Sequence, residues 1–268
     1  MGSILVNGLR TNILDNGKGP PLVMLHGLSD DCTFWLPLVD ALSPPFRVVA
    51  PDLRGHGASD KPPGPYAIRQ MAEDVSALMT ALGIPEARFA GFSMGSAVAL
   101  QLAMDHPERV RALALMSVFV AGDPELKAVT DSFAEALRTG GVGAFFDAIL
   151  PRVISAEVIA ANREVLALRR EEKLRTESAP AILAALNACM SWDGRAGLGR
   201  VRCPVLILSG REDILTPPAL AAEVHAGLPG SRWELLDGVG HNLLLPGTLE
   251  AVAAHLRAFF GQNRPDPE

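Results

Sequence analysis

Short, nearly continuous apolar runs recur along the chain, each bounded by turn residues: Leu22–Leu25, Phe46–Ala50, Arg88–Ala90, Ala112–Met116 and Val205–Leu208. A sixth run, Trp233–Leu236, is less apolar. Helical periodicity fills the intervals at Met71–Leu82, Met94–Met104, Pro218–Leu228 and Thr248–Phe260. Runs of this length read as strands, and the longer periodic stretches as amphipathic helices. Strands that alternate with helices predict a parallel sheet. Strands apolar on both faces predict that helices cover both sides of it.

The alternation stops between Val118 and Val201. These roughly 80 residues show helical periodicity and no convincing strand. Pro124, the Gly140-Gly141-Val142-Gly143 run, Pro151 and Pro180 divide them into about four helices. Residues 163–177 are densely charged with mixed signs, a solvated helix face with Glu171 and Arg175 spaced to pair at i,i+4. The expected organisation is an α/β core formed by residues 1–118 and 200–268, interrupted by a helical cap over 119–199. The short polar end, Asn263–Glu268, is expected to fray.

Composition narrows the class without naming a function. A chain of 268 residues forms one large or two small domains. With 49% hydrophobic and 20% charged residues it is globular rather than disordered. The net charge of −6 argues against a nucleic-acid backbone as partner. No apolar run reaches the roughly 20 residues of a membrane helix; the richest, Ala112–Val120, is short and broken by Ser117. No signal-peptide pattern opens the chain. Met1-Gly2-Ser3 hints at myristoylation, but Val6 stands where a hydroxyl residue is wanted. Cys32, Cys189 and Cys203 lie far apart, with no zinc spacing and no redox pair. A cytoplasmic protein with structural thiols is the expectation. Oligomeric state leaves no trace.

Gly91-Phe92-Ser93-Met94-Gly95 follows one predicted strand and opens the next helix. A serine in such a strand–turn–helix context is a nucleophile elbow, with glycines where chain segments must approach closely. Ser93 is the candidate nucleophile. A serine hydroxyl needs a base. His241, in the loop Gly238-Val239-Gly240-His241-Asn242 after the last strand, would sit on the same sheet edge as Ser93. His26, His56 and His106 precede or closely follow Ser93, and His225 and His255 lie within helical patterns. The imidazole in turn needs a carboxylate. Asp213 stands just past the Val205–Leu208 strand, with Glu212 as its neighbouring rival and Asp193 and Asp237 as weaker ones. The turn after Met116 offers Ser117 and Val118 instead of an acid. An oxyanion requires N–H donors. Met94, at a helix N-terminus, and Leu28, in the His26-Gly27-Leu28 turn, are the candidates, while His26 would brace that turn.

On these residues the chain resembles the α/β-hydrolase superfamily over nearly its whole length. Asp52-Leu53-Arg54-Gly55-His56-Gly57-Ala58-Ser59 looks like that family's structural loop, and His106-Pro107-Glu108-Arg109-Val110 like the segment leading into its sixth strand. The resemblance implies Ser93 as nucleophile, Asp213 as acid, His241 as base, and Leu28 and Met94 as oxyanion donors, with no cofactor and no metal. It is nearest to the carboxylesterases and the 3-oxoadipate enol-lactonases, which implies a small-molecule ester or lactone substrate cleaved through an acyl-enzyme. Phe92 and Asn242 weaken a carbon–carbon bond hydrolase of the meta-cleavage type. The same residues are compatible with a cofactor-free perhydrolase, and the same fold with a non-enzymatic receptor. Ser96 departs from a second glycine common after such elbows. Phe119, Phe133, Phe145, Phe146, Met190 and Trp192 could line an acyl pocket or simply pack the cap. Arg152, Arg163 or Arg195 could hold a substrate carboxylate.

Overall fold

The protein is described by a computed structural model that covers residues 1–42 and 45–262. The polar end at Asn263–Glu268 lies outside the described residues. The core is one eight-stranded sheet in the order β1-β2-β4-β3-β5-β6-β7-β8. From β3 (Pro21–Leu25) and β4 (Arg47–Pro51) through β5 (Ala87–Phe92), β6 (Val110–Met116), β7 (Val205–Gly210) and β8 (Arg232–Leu236) every pairing is parallel. All six follow the apolar runs read from the sequence, within a few residues at the ends.

The apolar runs are continuous because both faces of the sheet are buried. Val23, Leu25, Phe89, Leu113, Leu115 and Ile207 point into one layer. Leu22, Met24, Ala90, Ala114, Met116 and Leu208, their chain neighbours, point into the other. The first layer includes α2 (Ile68–Ala81), α3 (Met94–Asp105) and α8 (Pro218–Gly227). The second packs under α1 (Leu36–Leu42) and α9 (Leu249–Gln262). Every residue of α3 from Met94 to Met104 is buried, as a helix held between sheet and neighbours must be.

Two elements add to the expected set. β1 (Gly2–Val6) and β2 (Leu9–Asn16) form an antiparallel hairpin that extends the sheet beyond β4. The helix α1 is the other.

Between β6 and β7 lie four helices: α4 (Pro124–Val153), α5 (Ala156–Ala161), α6 (Arg163–Thr176) and α7 (Ala179–Ser191). Pro124 and Pro180 sit in first turns, where a missing N–H costs nothing. The glycine run kinks α4 at Gly141, which takes φ 66°, a conformation glycine adopts without a Cβ penalty. Pro151 does not divide the helix, contrary to the sequence-based expectation; α4 runs on to Val153 before it ends. The insertion is closed at its neck, where Ala121 bridges Asp193 and Gly194 N–H donates to Val120 O at 2.8 Å.

Candidate active site

Ser93 is the first residue after β5. It adopts φ 51°, ψ −115°, a strained backbone that costs a non-glycine residue on the order of 1–3 kcal/mol. The surroundings hold it there. Its N–H donates to Met116 O at 2.9 Å, and its carbonyl accepts the Ser96 N–H at 2.9 Å. Ser96 Oγ accepts the Met116 N–H at 3.1 Å and lies 2.7 Å from Gly91 O. The residue that departs from a second glycine therefore pins both sides of the turn. The flanking glycines are sterically required: a Cβ on Gly91 would stand 2.5 Å from Gly95 O, and one on Gly95 only 2.0 Å from Leu25 O.

Asp213 and His241 form a buried pair, with Nδ1 at 2.9 Å from Oδ2 and their side chains 2% exposed or less. The Leu215 and Thr216 N–H groups donate to Asp213 Oδ1 at 2.9 and 2.8 Å. Thr216 Oγ1 lies 2.8 Å from Oδ2 and 3.1 Å from His241 Nδ1. Burial alone would raise the Asp213 pKa; the His241 interaction and these hydrogen bonds outweigh it and hold the carboxyl below the usual range. With Nδ1 bound to the carboxylate, Nε2 is the nitrogen free to take a proton. The His241 carbonyl accepts the Ser117 hydroxyl at 2.8 Å, so the turn that lacks an acid anchors the histidine loop instead. Gly210 permits that loop to dock, since a Cβ there would meet Val239 O at 2.2 Å.

The rival acids have other partners. Glu212 accepts the Val239 N–H at 2.8 Å, Asp237 pairs with Arg211, and Asp193 pairs with Arg195 at the surface. The other histidines also have separate roles. Leu53 N–H donates to His26 Nε2 at 2.9 Å, so the proton of that ring sits on Nδ1, which donates to Gly27 O at 2.8 Å. His26 thus ties the turn after β3 to the loop after β4. His56 Nδ1 bonds Arg54 O at 2.9 Å, and burial with His26 beside it pushes its pKa down to about 3, so the ring is neutral. Arg54 is held by Asp74 at 2.6 Å. His106 pairs with Glu73, and His225 with Ser231.

Ser93, Met94, Leu28 and His241 all line one cavity of about 560 Å³. Among the described residues, neither Leu28 N–H nor Met94 N–H has a hydrogen-bond acceptor in the chain; both remain available to an anion. Phe92 stacks on Phe34 at 4.6 Å and lies 5.1 Å from the His241 ring, forming an aromatic wall beside the base. The insertion supplies the opposite wall, including Phe133, Phe146, Leu150 and Met190. Phe119 lines the cavity as well, but Phe145 and Trp192 do not. Phe145 is buried edge-on against Phe133. Trp192 packs on Phe119 and donates its indole N–H to Gln101 Oε1 at 2.7 Å. The arginines named as carboxylate holders are not there either: Arg195 is tied to Asp193 and Glu223 at the surface, and the basic groups that reach the cavity are Arg169 and Lys173 of α6.

The three thiols are unpaired, and burial raises all of them, to about 12 for Cys189 and Cys203. Asp31, Cys32 and Asp52 offer ligand atoms within 4.8 Å of one another. The Asp52 oxygens, however, already accept N–H donors from Cys32, Asn12 and Ala58 at 2.7–2.8 Å, which is a structural use. No helix among the described residues is long and apolar enough to cross a membrane.

The sequence matches the alpha/beta hydrolase fold family over residues 20–152 and the TAP-like family over residues 182–267. RutD of Escherichia coli O127:H6 is 30% identical over 245 residues, which span 87% of this chain and 89% of that one. Among solved structures, the enol-lactonase of Burkholderia xenovorans LB400 superposes with a TM-score of 0.90 at 31% identity, covering 97% of this chain and 100% of its own. A thermophilic esterase of Thermogutta terrifontis gives 0.86 at 28% identity over 98% and 99% of the two chains. The chain belongs to the α/β-hydrolase superfamily. Fold and family together support an enzyme of the hydrolase class.

Proposed function

We propose that this protein is a serine hydrolase that cleaves small carboxylic esters or lactones through an acyl-enzyme. The observation that carries the reading is the buried Asp213–His241 pair opening on the same cavity as Ser93 and two unused N–H groups. His241 takes the Ser93 proton through Nε2 while Asp213 stabilises the imidazolium. Ser93 Oγ attacks the carbonyl, and the tetrahedral oxygen is held by the Leu28 and Met94 N–H groups. The intermediate collapses, the alcohol leaves with the proton from His241, and water activated by His241 releases the acid. A lactone keeps its alcohol tethered and gives one product. The helical insertion acts as a cap, its apolar wall taking the acyl or alcohol group. The enol-lactonase and the esterase among its structural relatives favour this bond class.

Labelling with a fluorophosphonate followed by peptide mapping tests the nucleophile, and a panel of esters and lactones tests the reaction. The label is expected on Ser93, and Ser93→Ala is expected to lose about 10⁴-fold or more in kcat with the fold intact by circular dichroism. Comparable hydrolysis by the alanine variant refutes the proposal, as does a single slow turnover by the wild type.

A further inference from the structure

Among the described residues, Asp30 is an acid of this cavity that receives no hydrogen-bond donor. It follows the oxyanion candidate Leu28 by two residues and lines the same space as Ser93 and His241. Its position is tightly bounded: a Cβ on Gly27 would lie 3.3 Å from Asp30 Oδ2 and 2.9 Å from the Phe92 ring. One carboxylate oxygen therefore lies close to Gly27, the residue before Leu28, on a turn that Phe92 also approaches. Its backbone is fixed independently, through Asp30 N–H to Gly27 O at 3.2 Å. Its neighbour Asp31 is fully engaged, with the Thr33 N–H at 2.9 Å, the Thr33 hydroxyl and Lys173 at 3.2 Å. Among the described residues, no hydrogen bond and no ion pair within 4.0 Å reaches the Asp30 carboxylate. Burial raises its pKa against the pull of Lys173, His26 and His241. Its oxygens thus keep hydrogen-bonding capacity that the surrounding side chains leave unused.

Resting on the serine-hydrolase reading, we infer that Asp30 is a specificity-determining residue: its carboxylate accepts a hydrogen bond from a hydroxyl or amide N–H that the substrate carries close to the scissile carbonyl. The placement fits that role. A carbonyl oxygen seated on Leu28 N–H and Met94 N–H brings the atoms next to it under the Leu28–Asp30 turn. An acceptor that lines the cavity and loses its solvent when substrate binds discriminates strongly against analogues that lack a donor, because it is then left unpaired. The surroundings of Asp30 disfavour the opposite class, a substrate carboxylate. Asp30, Asp31 and Glu177 surround the ammonium of Lys173, whose contacts at 3.2 and 3.4 Å already go to Asp31 and Glu177. A substrate carboxylate placed here would face the oxygens of Asp30 and Asp31, with the Lys173 ammonium already engaged.

The test compares kcat/KM for four matched nitrophenyl esters. Two carry a 2-hydroxy or a 2-acetamido group, one a 2-methyl group, and one is the hemisuccinate. The wild type is expected to favour each donor-bearing ester over the methyl ester by tenfold or more. Asp30→Ala is expected to bring that ratio close to one. Asp30→Asn, whose amide oxygen still accepts, keeps part of it and gains on the hemisuccinate. A wild type without the preference overturns the inference. So does an Asp30→Ala variant whose ratio stays within twofold of wild type, or one that slows all four esters equally, which marks a structural role or an effect on His241. If Ser93→Ala cleaves the esters as fast as the wild type, the hydrolase reading itself fails, and that result is distinct from any of these.

Discussion

Asp213 receives two backbone N–H groups on one oxygen and a hydroxyl and an imidazole around the other. That arrangement fixes the ring tautomer, and removing the acceptor character should scramble it. Asp213→Asn is expected to lower kcat by about 10⁴-fold, with KM little changed. Thr216→Val should cost less, about tenfold, because the carboxylate–imidazole contact and the Thr216 backbone bond remain. Steady-state kinetics on a nitrophenyl ester separate the two, and a loss of tenfold or less for Asp213→Asn would move the acid to another residue. Ser93, Asp213 and His241 are legible in the sequence because each sits at a strand end that local patterns mark. Thr216 has only a faint signal, a hydroxyl three residues after an acid. Ser117 has none, since its partner His241 is 124 residues away. Asp30 is equally silent: nothing in an Asp-Asp pair tells which carboxyl the fold will satisfy.

At the level of elements, the glycines of the elbow are expected to permit close approach, and the structure identifies what approaches. Gly95 lies against the end of β3, where a side chain would meet the carbonyls of Leu25 and His26 at 2.0 and 2.6 Å. Backbone atoms of a central strand cannot give way as a flexible side chain can. Gly95→Ala is therefore expected to destabilise the protein by on the order of 3 kcal/mol or more, or to prevent soluble folding. A urea midpoint within experimental error of the wild type would contradict this. The first hairpin carries its sequence signal in the turn rather than in the strands. Asn7 and Gly8 both take positive φ, 49° and 77°, between β1 and β2, as the tightest hairpin turns require, and Asn-Gly is their preferred sequence. The flanking strands hide because few of their residues are buried, Val6 in β1 and Ile13 and Leu14 in β2, so neither carries a long apolar run. In α6 the charge pattern marks a helix, but not its pairing. Among the described residues Glu171 and Arg175 form no ion pair; the i,i+4 contact is Lys173–Glu177 at 3.4 Å. Spacing allows several such pairs, and the neighbouring loop decides between them.

Across the whole molecule, the insertion is fastened to the sheet core at three kinds of contact. Asn242 N–H, next to the catalytic histidine candidate, donates to Val153 O at the end of α4 at 3.0 Å. Trp192 reaches Gln101 of α3. Lys173 of α6 joins Asp31 of the core to Glu177. The last contact carries a pH dependence. Burial raises Glu177 to about 7, although Lys173 and Lys61 pull it down, and its Oε2 is buried without a hydrogen-bond partner. Asp31 is opposite in sign: burial would raise it, but Lys173 and the Thr33 hydrogen bonds bring it down to about 2. The two effects fall in separate windows. Asp31 adds stability above its ordinary value of 3.8 that is lost as pH falls toward about 2. Glu177 binds its proton more tightly folded than unfolded, so the native state is favoured below its ordinary value of 4.5. As pH rises from there to about 7, the unfolded chain loses that proton first and the advantage disappears. Glu177→Gln keeps a neutral side chain at every pH and removes this loss. Relative to the wild type, the variant should therefore gain stability as pH rises from 5 to 7.5, by on the order of 1–3 kcal/mol. Urea unfolding at several pH values measures the difference. If the gap between the two proteins stays constant over that range, Glu177 is ionised throughout in the folded state, and the contact between α6 and the core is an ordinary ion pair.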